Sequence, residues 1–296
     1  MRLNLRQLQI FCAIHDTGST TAAAALVALS QSATSAALNE LEQSLETRLF
    51  DRVGKRLVLN DNGRALLPQA RQMLDMARHI ESDLRPAAAS PRRYLRIGAS
   101  STIGNYVLPR LVRRLRDAMP NLRLEVRIGN SREIASLVAG FQLDAGLIEA
   151  PCHEAQLNAE PWLVDELLLV AGADHPLAQQ AEVGLGALSR TEWLLREPGS
   201  GTREEVEHLL LRHLHDLGEM HEVGSSEAIK NTLVQGIGVS CLSRWVVGDM
   251  LDDGRLRVLS TELPPLTRRF FMLRHQDKFV SAALESFWRL CQGFAH

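Results

Sequence analysis

Residues Gly18 to Glu42 read GSTTAAAALVALSQSATSAALNELE, and this stretch decides how the amino-terminal part of the chain folds. Ser19 or Thr20 can cap a first helix whose alanine-rich body reaches about Ala28, and Ser30 can cap a second helix. A tight turn separates the two helices, and their small alanines allow the helix axes to approach closely. The pattern predicts a helix-turn-helix. An alanine-rich helical hairpin inside any core would look the same, so the flanking sequence has to decide between the two.

The flanking segments favour a winged helix-turn-helix. Before the stretch, apolar residues recur every three positions and predict a third helix that completes the core, with Leu5, Leu8, Phe11 and Ile14 on its apolar face. After it, two strand-like runs, 48–52 and 56–59, flank a turn at Gly54 and predict a basic hairpin, the wing. Between Arg48 and Arg64 five cations face two acids, whereas the whole chain has a formal charge of −2. Such a local patch can hold phosphates without making the chain basic.

The next segment predicts a long helix, opened by the polar residues 60–62 and ended before Pro86. Its apolar residues are spaced by four and three in turn, as in the seam of a two-stranded coiled coil. The seam residues are Leu66, Ala70, Met73, Ala77, Ile80 and Leu84. Packing of this seam on the helix's own chain is the alternative. Pro68 should bend the helix or weaken its first turns, and residues 86–91 predict a hinge.

From Tyr94 onward, short strand patterns alternate with helical ones, which is typical of parallel sheets covered by helices. The number of these units fits two α/β lobes. The last strand and helix, 269–273 and 280–291, could return to either lobe.

Length and composition restrict the class of protein. The chain has 296 residues, of which 45% are hydrophobic and 23% charged, with no apolar run of the roughly 18 residues that a membrane span needs. It has no signal-peptide pattern, so we expect a cytoplasmic protein and no membrane partner. The four cysteines are widely scattered and predict buried free thiols. Catalytic and metal-binding patterns are absent, so we expect no enzyme, no catalytic residue, no metal and no cofactor.

The amino-terminal residues resemble those of the LysR-type transcriptional regulators. The matching motifs are Leu8-x-x-Phe11, Gly18-Ser19, Thr21-Ala-Ala-Ala24, Leu29-Ser30-Gln31-Ser32-Ala33, Leu41-Glu42 and Leu49-Phe50-Asp51-Arg52. The resemblance implies an α/β architecture with three parts: a winged helix-turn-helix over 1–60, a dimerising linker helix and hinge over 61–91, and an effector domain over 92–296. It implies that this effector domain is two-lobed and similar to periplasmic binding proteins. The first lobe would hold 92–163 and 267–296, and the second 164–266.

Within the family, the chain looks most similar to members tied to sulphur assimilation and carbon fixation. The stretches that carry this likeness are 98–106, 196–203, 224–229 and 241–244. Ala36 and Thr20 depart from the family, which often has a basic residue and an aromatic residue at these positions. The Ala36 departure removes an expected arginine contact to guanine.

The resemblance assigns the DNA-contacting positions. Base contacts would come from Gln31, Ser32 and Ser35 on the second helix, although the first two could instead bind phosphate. Arg52, Lys55 and Arg56 in the wing would contact phosphates or the minor groove.

Two segments also predict a site for a small anion. Ser100, Ser101 and Thr102 precede one helix, and Thr202 and Arg203 open another. Helix amino termini present unpaired N–H groups, and hydroxyls add further donors. Capping alone would explain one such segment, but two at the carboxyl ends of strands in separate lobes predict a ligand-binding cleft. Asn130 and Ser131 would complete its wall.

The sequence therefore predicts a ligand-responsive bacterial transcriptional regulator that binds double-stranded promoter DNA at a two-fold related site. Its co-effector would be a small anion, such as a sulphur oxyanion or a short carboxylate. Its partners would be DNA, the effector and further copies of itself, as a dimer or tetramer, with RNA polymerase as a further candidate. The alternatives are a two-lobed small-molecule-binding protein or an enzyme on the same scaffold.

Overall fold

The computed structural model describes residues 3–83, 94–214 and 216–294. The chain forms two compact units, one of residues 1–91 together with Gly140–Gln142, and one of residues 92–139 together with Leu143–His296. Leu84 and the predicted hinge at 86–91 lie outside the described residues.

The amino-terminal unit is a helix-turn-helix followed by a two-stranded hairpin and one long helix. Its elements are α1 (Leu5–Thr17), α2 (Thr20–Leu26), α3 (Gln31–Ser44), β1 (Phe50–Val53), β2 (Arg56–Leu59) and α4 (Asp61–Asp83). Ser19 Oγ accepts a hydrogen bond from the Ala22 N–H, and Ser30 Oγ accepts one from the Ala33 N–H, so each helix is capped by its own serine. Ala28 adopts a positive φ of 53° in the turn. The angle between α2 and α3 is 104°, as is typical of this motif.

The core of this unit lies between α1, α3 and the hairpin. Leu8, Phe11 and Ile14 are at most 1% exposed, and the Phe11 ring packs against that of Phe50 with 5.4 Å between centroids. Leu5, predicted on the same face, is 44% exposed. Three helical residues rotate by about 300°, so four positions at that spacing sweep half a turn and do not all face one core.

The carboxy-terminal unit is an α/β structure built on one mixed sheet. Its strands are β3 (Tyr94–Ser100), β4 (Arg123–Gly129), β5 (Ala145–Ile148), β6 (Leu157–Gly172), β7 (Trp193–Leu195), β8 (Met220–Glu222), β9 (Val239–Ser243), β10 (Leu256–Val258) and β11 (Leu266–His275). Its helices are α5 (Leu108–Ala118), entered through a π-helical turn at Ile103–Val107, α6 (Ser131–Ala139), α7 (Leu185–Leu188), α8 (Gly201–Leu210), α9 (Ser226–Leu233), α10 (Arg244–Asp252) and α11 (Ala282–Gln292).

The sheet has two parallel halves joined by antiparallel strands. Its order is β4-β3-β5-β11-β6-β9-β7-β8, and β10 pairs with β6. Strand β3 pairs in parallel with β4 and β5, and β7 in parallel with β8 and β9. Strands β11 and β6 run antiparallel from Leu266 opposite Leu167 to His275 opposite Leu157, with an irregularity between Arg269 and Phe271. The predicted lobe boundary at 163/164 thus falls inside β6, and the sheet is continuous through it.

Each half of the sheet has its own apolar core. In the first, Ile97 of β3, Leu111 of α5 and Phe287 of α11 are buried together, so the last helix packs on the first lobe. In the second, Trp193 of β7 and Val206 of α8 are buried together. Among the described residues, no single helix has the length and apolar composition of a membrane span, although α2 and α3 taken as one bent pair do.

The cysteines are free, and Cys12, Cys241 and Cys291 are buried as predicted. Cys152 is half-buried, in the segment that follows β5. Burial raises the pKa of the Cys12 thiol to about 11.

Candidate functional sites

The exposed end of helix α3 carries the predicted base-contacting residues. Gln31 and Ser32 are exposed and Ser35 is half-buried. Gln31 Nε2 donates to Thr20 Oγ1 of α2 over 3.1 Å, and Ser32 Oγ lies 3.0 Å from Ser30 Oγ. Thr20, which departs from the family pattern, therefore orients the glutamine side chain.

The wing presents its cations to solvent. Arg52, Lys55 and Arg56 are exposed, and Gly54 permits the tight turn with a φ of 61°. Arg48, which was not selected as a contact, donates to Glu42 Oε2 over 2.7 Å. Arg48 is thus paired with a carboxylate of its own unit, whereas the three wing cations lie in no ion pair among the described residues.

Helix α4 divides the predicted seam in two. Ala70 is fully buried in the core of its own unit, and Leu66 packs against that core, so the alternative of packing on its own chain holds for the first part of the helix. Met73 and Ile80 are 45% and 53% exposed, and Ala77 is half-buried. The correction is that Ala70 cannot face a partner, because the winged domain already covers it.

The carboxylate of Glu149 lies at the centre of the predicted cleft. Its Oε1 accepts from the Thr102 N–H over 2.7 Å, and its Oε2 accepts from Thr202 Oγ1 over 2.7 Å. Arg268 Nη1 donates to Oε2 over 3.1 Å and to Thr202 Oγ1 over 2.9 Å. Donors from both halves of the sheet thus converge on an anion that the chain itself supplies.

A second carboxylate, that of Asp165, completes the cluster. Its Oδ2 accepts from Arg268 Nε and its Oδ1 accepts from Ser243 Oγ, each over 2.7 Å. The Arg268 side chain is 0% exposed, yet the described residues provide no hydrogen-bonding partner for its Nη2 or for Thr102 Oγ1. Among the described residues Ser100 Oγ also lacks a hydrogen-bonding partner of good geometry, although it lies close enough to Glu149 to help lower the pKa of that carboxyl.

The two carboxyls differ in their proton affinity. Burial raises the pKa of the Glu149 carboxyl, but the Arg268 charge and the hydrogen bonds outweigh it, so the net pKa is lowered. At Asp165 burial is again the largest effect, and Arg268 and Ser243 do not offset it, so the pKa is raised. Glu149 is therefore held as a carboxylate more firmly than Asp165.

The remaining predicted cleft residues make hydrogen bonds within the protein. Ser131 Oγ accepts from the Glu149 N–H over 3.4 Å, and Asn130 exchanges hydrogen bonds with Glu133 as the cap of α6. Arg203 donates to Glu207 over 2.8 Å and to the Arg196 carbonyl oxygen over 3.0 Å. The Arg203 guanidinium is thus paired within the second half of the sheet, so the geometry does not support the prediction that Arg203 faces the anion.

A buried arginine that the sequence analysis missed lies beside Ser101. Arg196 Nη2 donates to Ser101 Oγ over 3.3 Å, its Nη1 donates to Ser226 Oγ over 2.9 Å, and it pairs with Glu197. Asn130 Nδ2 donates to the same Glu197 over 3.3 Å. The pair thus connects the two halves at the edge of the cleft.

The sequence does contain signals for Glu149 and Arg268, the two buried charges that it was not expected to place in the cleft. Glu149 follows a buried strand of the first lobe at its carboxyl end, which is where open α/β sheets bind ligands. Arg268 alternates with Leu266 and Phe270 on the buried face of β11, and a charge at a core position of a strand needs a partner. Among the described residues, no group of histidine, cysteine and acidic side chains is arranged to hold a metal ion.

Two family models match the chain. The LysR substrate binding domain matches residues 88–295, and the bacterial regulatory helix-turn-helix protein, lysR family, matches residues 5–64. A similar protein is the uncharacterized HTH-type transcriptional regulator YeiE of Escherichia coli K12, 46% identical over 98% of each chain. The HTH-type transcriptional regulator CysL of Bacillus subtilis is 34% identical over 94% of this chain and 90% of its own.

The chain is also similar to a further transcriptional regulator and to a solved regulatory domain with a bound ligand. The RuBisCO operon transcriptional regulator of Allochromatium vinosum is 29% identical over 97% of this chain and 95% of its own. The regulatory domain of Synechocystis CcmR in complex with 2-PG superposes with a TM-score of 0.62 and 28% identity, covering 68% of this chain and 97% of that one.

Proposed function

Because the chain belongs to the LysR family of transcriptional regulators, we propose that its amino-terminal units bind promoter DNA as a pair and that a small oxyanion in the cleft controls this binding. The relatives are named as transcriptional regulators, so the chain is a regulator and the alternative of an enzyme is set aside. We place it in the cytoplasm, with a tetramer as the working assembly and RNA polymerase as a further partner.

The DNA part of the proposal rests on exposure and charge in the amino-terminal unit. Gln31 and Ser32 are the exposed polar side chains at the start of α3, where a recognition helix meets base edges. Arg52, Lys55 and Arg56 are exposed cations suited to phosphates. Two units paired by a linker would contact half-sites in one groove face about 34 to 36 Å apart, or a multiple of that.

The pairing surface of α4 is its solvent-facing stripe. Met73, Met76 and Ile80 are 42% to 53% exposed, and they are spaced by three and four residues, which places them on one face. Ala77 borders this stripe. An exposed apolar seam of this kind is stabilised when a second helix covers it, and the proposal no longer includes Ala70.

The single observation that carries the anion proposal is the Glu149 carboxylate held by donors from both halves of the sheet. Beside it, Thr102 Oγ1 and Arg268 Nη2 are buried donors that find no acceptor among the residues the structure describes. A buried donor left unpaired costs about 1 to 3 kcal/mol, so a ligand that brings oxygen acceptors gains this free energy. Oxygens of a compact tetrahedral or pyramidal anion match that need. The complex of CcmR with 2-PG is a precedent for a small ligand in the corresponding domain.

Control of DNA binding follows if the anion favours one setting of the two halves of the sheet. The donors of the site are Thr102, between β3 and the π-helical turn, on one side and Thr202 of α8 on the other, so a ligand bound between them has different contacts in different settings. That difference in affinity is the free energy available to shift the DNA-binding units.

The experiment is calorimetry of the full-length protein with sulphite, sulphate, thiosulphate, phosphate and short carboxylates. Thr102→Val removes the free hydroxyl but keeps the N–H that binds Glu149, and should weaken binding by about 1 to 3 kcal/mol. Thr102→Ser keeps the hydroxyl and is the matched control. Equal affinities for Thr102→Val and the unaltered protein would contradict the proposed contact, and a failure of all these anions to bind would end the oxyanion proposal.

A further inference from the structure

The buried cluster around Glu149 carries an excess of negative charge. Among the described residues it contains one cation, Arg268, and two carboxylates, Glu149 and Asp165, whose side chains are 0%, 2% and 1% exposed. Both carboxylates contact the same guanidinium, at 3.1 and 2.7 Å. With all three groups ionised the cluster has a formal charge of −1, before any ligand arrives.

Within the part of the chain that the structure describes, the groups that interact electrostatically with Arg268 from the surrounding elements are acids and add no positive charge. Glu205 of α8 and Cys241 of β9 interact electrostatically with Arg268, and both are acids. On the remaining sides the cluster meets the hydroxyls of Thr102, which lies between β3 and the π-helical turn, and of Ser243 in β9. The nearby Arg196 is engaged by Glu197 instead.

An oxyanion bound here must therefore lie beside a carboxylate. The free donors, Thr102 Oγ1 and Arg268 Nη2, are next to the donors that hold Glu149. An ionised carboxylate accepts hydrogen bonds and donates none. A ligand oxygen without a proton is repelled by Glu149, whereas a ligand O–H can donate to it.

Glu149 has room for one more hydrogen bond. A carboxylate has about four lone-pair sites, and three donors of good geometry occupy them, one on Oε1 and two on Oε2. The Oε1 atom accepts only the bond from the Thr102 N–H among these three, so the remaining acceptor site lies on Oε1. Ser100 Oγ is also near this carboxyl but makes no hydrogen bond of good geometry to it.

We propose that Glu149 determines ligand specificity by accepting a proton-bearing oxygen, so the site selects oxyanions that carry a proton near neutral pH, such as hydrogen phosphate and hydrogen sulphite, and rejects sulphate. This inference rests on the proposed oxyanion site. The proton belongs to the ligand–Glu149 pair in the complex, so an oxyanion that is unprotonated in solution takes up one proton when it binds.

The test is calorimetry of the full-length protein with phosphate, sulphite and sulphate from pH 6 to 8.5, in two buffers of different ionisation enthalpy. We expect sulphate to bind at least tenfold more weakly than phosphate or sulphite. Sulphite loses its proton within this pH range, so above the pKa of hydrogen sulphite its affinity should fall tenfold per pH unit, with the uptake of one proton per site. Phosphate keeps a proton as hydrogen phosphate throughout the range, so its binding needs no proton uptake.

Two variants with the same change of charge separate recognition of the ligand proton from bulk electrostatics. Glu149→Gln can donate from its amide, so it should reduce the preference against sulphate at least tenfold and abolish proton uptake. Asp165→Asn changes the charge of the cluster equally, but the Asp165 carboxyl accepts from Arg268 Nε and Ser243 Oγ and not from Thr102, so it should keep the preference. Circular dichroism of both variants checks that they are folded.

Different failures have different meanings. Wild-type protein that binds sulphate as tightly as phosphate, without proton uptake, overturns the specificity inference and leaves the oxyanion site in place. Equal shifts of preference in Glu149→Gln and Asp165→Asn also overturn it, because charge alone would then explain selection. Wild-type protein that binds none of the three anions overturns the oxyanion site and this inference together.

Discussion

Thr202 is the residue at which we expect a single hydroxyl to matter most for the stability of the carboxy-terminal unit. Its Oγ1 donates to Glu149 Oε2 over 2.7 Å and accepts from Arg268 Nη1 over 2.9 Å. Thr202 itself is 3% exposed, so water does not replace these bonds. Thr202→Val keeps the shape of the side chain and removes both hydrogen bonds, each of which has a charged partner.

The expected loss follows from these contacts. A hydrogen bond to a charged group contributes about 1.5 to 3 kcal/mol to stability. Arg268 Nη1 keeps its bond to Glu149 over 3.1 Å, so the loss on that side lies at the low end, and together we expect about 3 to 4 kcal/mol. In a unit of this size each kcal/mol lowers Tm by about 2 to 4 °C. Thr202→Val should therefore lower the Tm of this unit by about 6 to 16 °C.

The assay is thermal unfolding of the full-length protein followed by circular dichroism, without added anions. Thr202→Ser keeps the hydroxyl and loses one buried methyl group, which costs about 1 kcal/mol. Thr232→Val is the control outside the cluster, because Thr232 is half-buried on α9 and its hydroxyl makes a solvent-exposed hydrogen bond to the Ala228 carbonyl oxygen over 2.9 Å. It should change stability by less than about 0.5 kcal/mol. A Thr202→Val protein as stable as Thr202→Ser would refute the reasoning.

Three further predictions concern the other surfaces. Gln31→Ala should relax the preference at one base pair by about 1 to 3 kcal/mol, whereas Lys55→Ala should weaken binding to all DNA sequences alike and flatten its salt dependence. Competition binding with mutated operators measures both effects, and an unchanged base preference in Gln31→Ala would contradict the assignment. Replacing Met73 and Ile80 together by glutamate buries unpaired charge in the seam and should cost several kcal/mol of dimerisation free energy, and an unchanged sedimentation profile would exclude this stripe. The pKa of Glu149 is lowered, so the contribution of its carboxylate to stability is present at neutral pH and is lost as pH falls through that lowered pKa. Glu149→Gln should therefore reduce the slope of the unfolding free energy against pH on the acid side, and a slope identical to that of the unaltered protein would count against the ion pair with Arg268.

Much of the amino-terminal unit could be predicted because its determinants are local. The caps at Ser19 and Ser30 and the turn at Gly54 involve residues within a few positions of each other. Apolar spacing, by contrast, was a weaker guide in α4. Leu66, Ala70 and Met73 follow the heptad spacing, but Leu66 and Ala70 pack on the winged domain instead of facing a partner helix. Periodicity defines a face of a helix and does not say what covers that face.

The cleft was predicted in part. Thr102 and Thr202 were selected as helix-end donors, and both contact the buried carboxylate. Glu149 itself was missed because a carboxylate was not expected at an anion site. Helix α10 and strand β10 were also not predicted, although the buried residues Val246, Val247 and Met250 of α10 lie at helical spacings.

The sequence by itself determined the family, the class of fold and the location of the capped helices, because these depend on motifs and on interactions between near neighbours along the chain. The tertiary structure alone decided which charges meet. Arg268 reaches Asp165 across 103 residues and Glu149 across 119, through the long antiparallel pairing of β6 with β11 and of β11 with β5. Pairing over such separations depends on which distant strands become neighbours in the sheet, and a local pattern of residues does not specify this.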